Sequence, residues 1–212
     1  MTAMTRSKIT CLFVDIGGVL LSDGWGHGSR ALAAKTFGLD RQEMELRHSQ
    51  NFNTYELGKL TLEEYLKRVV FYEGRRFSFN SFKKFMFSQS TPHPLMIGLI
   101  RELKAKYGLK IVVVSNEARE LNAFRIRTFK LDAFVDSFIS SCYVGLRKPD
   151  EDIFKLALDT AQVSPQQTVY IENTCLFVQV AESLGIPSIF HTDHKTTRAR
   201  LASFGLKITE RI

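Results

Sequence analysis

The stretch 12-LFVDIGGVLL-21 decides the fold. An apolar run of strand type stops on a carboxylate, Asp15, and is followed at once by Gly17 and Gly18. Four further short runs are rich in β-branched or aromatic residues: "KIVVVS" (110–115), "SFISS" (137–141), "TVYIE" (168–172) and "SIF" (188–190). Together with "CLFVD" (11–15) they are almost continuously apolar, as strands buried on both faces of a parallel sheet must be. Helix-period stretches separate the later runs: "EARELNAFRIRTF" (117–129), "DEDIFKLALDTA" (150–161) and "CLFVQVAESLG" (175–185). Strand alternating with helix predicts right-handed βαβ units, hence a doubly wound, Rossmann-like α/β core.

One gap breaks the alternation. Between the first and second runs lie some 90 residues (22–109) that carry helical pattern and no convincing strand. Within them Thr61 and Glu64 form a capping-box pair, and Gly108 is placed to stop the last helix. That last helix, "PLMIGLIRELKAKYG", reads as the crossover into the second strand. The expected organisation is a core of residues 1–22 and 91–212 with a small all-helical cap, 23–90, too long for an ordinary loop. Its aromatics, Trp25, Phe52, Tyr55, Phe71, Tyr72 and Phe79, are expected to form the cap's own core.

Bulk properties narrow the class. The chain has 212 residues, 44% hydrophobic and 24% charged, enough to bury a sizeable core. Cys11, Cys142 and Cys175 have no metal-type spacing and read as thiols of a reducing cytosol. The beginning, MTAMTRSKIT, lacks a signal-peptide apolar stretch, and no segment reaches membrane-spanning length, so a cytoplasmic protein without a membrane partner is expected. The formal charge is +7 and the pI about 9.4. The basic residues are interleaved with acids, as on solvated helix faces, so attraction of a small anionic substrate is preferred to a nucleic-acid surface.

In an open α/β sheet, ligands bind outside the carboxyl ends of the strands. The residues falling there are Asp15, Ser115 with Asn116, the segment ending in Lys148, and Glu172 with Asn173. Each piece has a plain structural use, as helix cap or turn. Their common position, drawn from four separate segments, is what points to chemistry.

That order, carried by "FVDIGGVLL", "VVVSNEAREL", "GLRKPDEDIF" and "VYIENTCLFVQVAESLGIPSIFH", resembles the haloacid dehalogenase-like hydrolases. It is most similar to the small phosphatases with a helical cap inserted after the first strand. The resemblance implies a phosphatase of small phosphorylated metabolites, with Asp15 as nucleophile forming an aspartyl-phosphate. Ser115 and the backbone amide of Asn116 would hold the phosphate oxygens, and Lys148 would screen the meeting of two anions. Mg²⁺ would sit on Asp15, the carbonyl of Gly17, and side chains at Glu172 and Asn173. Packing of caps against one another would give a homodimer.

Two positions depart from that pattern. The acid usually found two residues after the nucleophile is replaced by Gly17, so its proton-transfer role falls to another group: Asp23, His27, His48 or a metal-bound water. The usual metal-binding Asp falls on Asn173, with Phe177 at a second place often polar, so a weakened Mg²⁺ site is expected. Two alternatives follow from these losses: a catalytically dormant relative that binds a phosphorylated ligand or a partner, and a metal-free 2-haloacid dehalogenase.

Overall fold

A computed structural model describes residues 8–208 of the chain. Five strands, β1 (Cys11–Val14), β2 (Lys110–Ser115), β3 (Ser137–Ser140), β4 (Thr168–Glu172) and β5 (Ser188–Phe190), form one sheet in the order β3-β2-β1-β4-β5. Every pairing is parallel. The α/β, doubly wound architecture expected from the strand–helix alternation is therefore present.

The pleat explains why the strands read as continuous apolar runs. Leu12 and Val14 join Ile111, Val113, Val169 and Ile171 on one face. That face is covered by α5 (Pro94–Tyr107) and α10 (His194–Ser203). Cys11 and Phe13 join Val112, Val114 and Tyr170 on the other, beneath α8 (Asp152–Ala161) and α9 (Cys175–Ser183). Alternate side chains thus enter two different cores, and neither face is left for water.

Between β1 and α5 run four helices: α1 (His27–Phe37), α2 (Arg41–Glu56), α3 (Leu62–Val69) and α4 (Phe79–Ser88). They gather a third hydrophobic cluster around Trp25, Tyr55, Tyr65, Leu66 and Phe82, closed by Ala118 and Leu121 at the start of α6 (Arg119–Thr128). Both expected local signals are present. The Thr61 hydroxyl accepts from Glu64 N (3.2 Å) while Glu64 Oε2 accepts from Thr61 N (2.8 Å). Gly108 ends α5 in the left-handed region at φ 65°, which glycine enters without a Cβ penalty.

The chain leaves the sheet and returns to it side by side. Ser22 N donates to Thr91 O (2.8 Å), Thr91 N to Ser22 Oγ (3.0 Å), and His93 N to Leu20 O (2.9 Å). Arg125 of α6 reaches both strands of this junction. Its guanidinium donates to Ser22 O (3.2 Å) and Ser90 Oγ (3.0 Å) and pairs with buried Glu117 (2.5 Å). Gly24 is obligatory here: its φ is +67°, and a Cβ would lie 1.8 Å from Arg125 Nη2. No described helix is long and apolar enough to cross a membrane.

Candidate active site

Register brings the polar residues to one edge. Val14 is level with Val113 on one side and Ile171 on the other. The next residues along, Asp15, Val114–Ser115 and Glu172, therefore share the carboxyl end of the sheet. A cleft of about 660 Å³ opens there, lined among others by Asp15, Asp23, Ser115, Asn116, Lys148 and Asn173.

At its floor Lys148 lies between two carboxylates. Its ammonium is 3.0 Å from Asp15 Oδ1 and donates to Glu172 Oε2 (2.6 Å) and to Tyr170 OH (3.0 Å). The Tyr170 hydroxyl in turn donates to Glu172. Burial alone would lower the Lys148 pKa, but Asp15 and Glu172 outweigh it and hold the group above its ordinary value. The lysine is a fixed positive charge.

Asp15 behaves in the opposite sense. Burial, followed by the charge of Glu172, pushes its carboxyl up to about 7, against the opposing pull of Lys148 and a hydrogen bond from Ser115. Although Lys148 is close, no donor is aligned on Oδ1. That oxygen is shut off from solvent against a cation.

Asn116 has a use that its sequence position did not disclose. Its side chain clamps the backbone of Lys148 in both directions, donating to Lys148 O (2.9 Å) and accepting from Lys148 N (2.8 Å). Tyr170, not among the expected site residues, lies two positions from Glu172 on one strand and so on the same face, where both meet Lys148. Phe177 also lines the cleft, its ring centroid 5.0 Å from the Lys148 ammonium.

Of the residues expected to hold Mg²⁺, Asn173 meets both Glu172 and the Gly17 carbonyl. Gly18 has φ +72°, and a Cβ on it would lie 1.9 Å from the Asn173 amide, so the backbone presses directly on that side chain. One rotation of the amide lets its nitrogen donate to Glu172 Oε1 (2.9 Å) and Gly17 O (3.1 Å). The other turns its oxygen toward them, the orientation a cation would require. The Asp15 carboxylate, the Gly17 carbonyl and the Asn173 amide oxygen are hard donors of the kind Mg²⁺ takes. Glu172 spends Oε2 on Lys148, and its Oε1 also accepts from Thr174 N (2.8 Å). Among the described residues no three His, Cys, Asp or Glu side chains gather around a metal position. The donor set fits Mg²⁺ but is poor in charge.

The three side chains considered for proton transfer lie at different places. His48 is buried, its Nδ1 2.7 Å from Tyr65 OH, and burial followed by the charge of Arg30 pushes its pKa down to about 4. His27 is exposed at the cleft's edge beside Arg30 and Glu45. Asp23 is different: a Cβ placed on Gly17 would lie 3.8 Å from its Oδ1, and one on Gly26 3.5 Å from its Oδ2. Its carboxylate lies beside both glycines at the cleft. Trp25 and Tyr55 are buried as expected of a helical core, yet with half-buried Phe52 they also line the cleft.

An acid at the tip of the central strand, faced by an ammonium and a hydroxyl from other segments, defines an α/β enzyme with its ligand crevice at the strand ends. The sequence pattern of the haloacid dehalogenase-like hydrolases matches residues 9–185, and the chain belongs to that family. It is 35% identical over 66 residues to bifunctional epoxide hydrolase 2 of Sus scrofa, covering 31% of this chain and 12% of that protein's length. It is 23% identical over 205 residues to flavin mononucleotide hydrolase 1 of Arabidopsis thaliana, covering 96% of this chain and 81% of that one. Among solved structures, a HAD family enzyme of Bacteroides thetaiotaomicron in complex with magnesium and inorganic phosphate superposes with a TM-score of 0.75 at 22% identity. The match covers 87% of this chain and 94% of that one.

Proposed function

We propose that the chain is a Mg²⁺-dependent phosphatase of small phosphorylated metabolites, working through an aspartyl-phosphate on Asp15. The observation that carries this reading is the Asp15 carboxylate at the cleft, 3.0 Å from a lysine fixed by Glu172, Tyr170 and Asn116. A phosphate ester brought there meets the nucleophile and a neutralising charge together, which is what two approaching anions require. The similarity to a flavin mononucleotide hydrolase and to an enzyme holding magnesium and phosphate supports the same chemistry.

In the first displacement an Asp15 oxygen bonds to phosphorus as the bond to the leaving oxygen breaks. Lys148 and Ser115 hold the phosphate oxygens, with the Asn116 backbone amide. Asp23 gives its proton to the leaving oxygen, taking over the work of an acid at Gly17. In the second displacement Asp23 takes a proton from the water that attacks phosphorus, and Asp15 departs as carboxylate. When bound, Mg²⁺ on Asp15, Gly17 O and Asn173 would neutralise phosphate charge; with an amide in place of a carboxylate its affinity is reduced.

Helices α1–α4 are the cap, residues 23–90, which closes the cleft from above. Glu56 at the end of α2 ties it to the core through Arg147 (2.5 Å). Free thiols at Cys11, Cys142 and Cys175 support a reducing, cytoplasmic setting. The reading is tested by phosphate release from p-nitrophenyl phosphate with Mg²⁺, abolished by EDTA and by Asp15→Asn. No turnover of a broad ester panel by folded protein would favour the dormant binder instead.

A further inference from the structure

The cleft contradicts the protein's overall charge. The chain carries +7, yet five carboxylates line the cleft (Asp15, Asp23, Glu45, Glu56, Glu117) against four lysine or arginine cations (Arg30, Arg125, Arg147, Lys148). The basic surplus lies elsewhere on the surface.

Each of those cations is already engaged. Arg30, buried, donates through Nε to Glu45 Oε1 (2.8 Å) and through Nη2 to Glu45 Oε2 (2.9 Å), and through Nη1 to Trp25 O (2.7 Å). Arg147 holds Glu56, Arg125 holds Glu117, and Lys148 holds Asp15 and Glu172. A fork-to-fork arginine–carboxylate pair uses the same donors that would grip a second phosphate or a carboxylate on a ligand. His48, held neutral, supplies no cation. Beyond the phosphate position the remaining surface is partly apolar, with Trp25, Phe52, Met86, Leu121 and Phe177.

Resting on the phosphatase reading, we infer that this site takes monophosphate esters of uncharged alcohols with an apolar body, and that Glu45 excludes leaving groups carrying a second anion by occupying Arg30. A carboxylate brought alongside would meet Glu45, Glu56 and Asp23 with no free cation, and like charges brought together in a desolvated site repel strongly. Specificity here is set by an internal counter-ion.

The esters phenyl phosphate and 4-carboxyphenyl phosphate differ by one carboxylate, the second anion. The wild type should show at least about tenfold higher kcat/KM for phenyl phosphate, a ratio that narrows in Glu45→Gln as Arg30 is released. Equal rates, or a preference for the carboxylated ester, would overturn the inference. Calorimetric binding of both esters to Asp15→Asn, which keeps the cleft and lacks the nucleophile, reads the same ratio without turnover. If neither ester is hydrolysed by the wild type but phenyl phosphate still binds tighter, the catalytic reading fails and the charge rule stands. Equal binding there sinks the charge rule alone.

Discussion

Replacing Asp23 by asparagine separates catalysis from folding. The side chain is exposed, and its loop is held by groups the change does not touch: Trp25 N donates to the Asp23 carbonyl (2.8 Å) and Arg125 to Ser22 O (3.2 Å). The isosteric amide should therefore cost no more than about 0.5 kcal/mol of stability. General acid–base help is worth about 10²–10⁴-fold, or roughly 3–5 kcal/mol at 1.36 per tenfold. The loss of turnover should thus exceed the loss of stability several times over. It should also depend on the step: formation of the aspartyl-phosphate slows severely for an alkyl phosphate, whose leaving oxygen must be protonated, and little for p-nitrophenyl phosphate, which should show a burst of p-nitrophenolate ahead of a slowed second displacement. The assay is phosphate release from both esters and the p-nitrophenolate burst, with thermal unfolding measured in parallel. Gly17→Asp on the Asp23→Asn background should restore alkyl-ester turnover, because Gly17 is not at positive φ and its Cβ would meet nothing closer than 3.8 Å. An Asp23→Asn enzyme as fast as wild type on the alkyl ester would refute the assignment.

Three further outcomes are expected. Asp15 has a native pKa near 7 against 3.8 in its ordinary state. Its contribution to stability is therefore complete below about pH 4 and is lost as pH rises through 7. In EDTA, the melting temperature of Asp15→Asn should gain on wild type between pH 5 and 8, and a constant difference would contradict this. Glu172→Gln removes the neighbouring charge that helps raise Asp15, so that pH dependence should shift to lower pH, with about 3 kcal/mol of destabilisation from leaving Lys148 a single carboxylate partner. Arg125→Met leaves Glu117 buried and unpaired and frees both strands of the cap junction, costing about 3–5 kcal/mol, a fall on the order of 10 °C in Tm for a chain of this size.

Much of this molecule is readable from its sequence because strand ends are local events. "LFVDIGGVLL" announces a buried strand and the acid at its tip, and parallel pairing then fixes where Ser115 and Glu172 must lie. Short helices such as α7 (Ser141–Val144) leave too little periodicity to read. What stays hidden depends on contacts across the chain. That Asn116 clamps the Lys148 backbone, that Arg125 reaches Ser22 and Ser90, and that Arg30 is neutralised by Glu45 follow from packing between segments far apart in sequence. Asp23 could be named as a candidate but not singled out, since its closeness to Gly17 arises only when the loop folds back. The same holds for the charge of the cleft: composition suggests a basic protein drawing in anions, whereas the residues that line the crevice are on balance acidic.

The most direct test is to quench wild-type enzyme in acid during turnover of a phosphate ester with Mg²⁺ and map its peptides by mass spectrometry. A phosphoryl group on the peptide containing Asp15, absent in Asp15→Asn along with turnover, is the predicted result. Steady phosphate release with no phosphoryl group on Asp15, or undiminished release by Asp15→Asn, would contradict it.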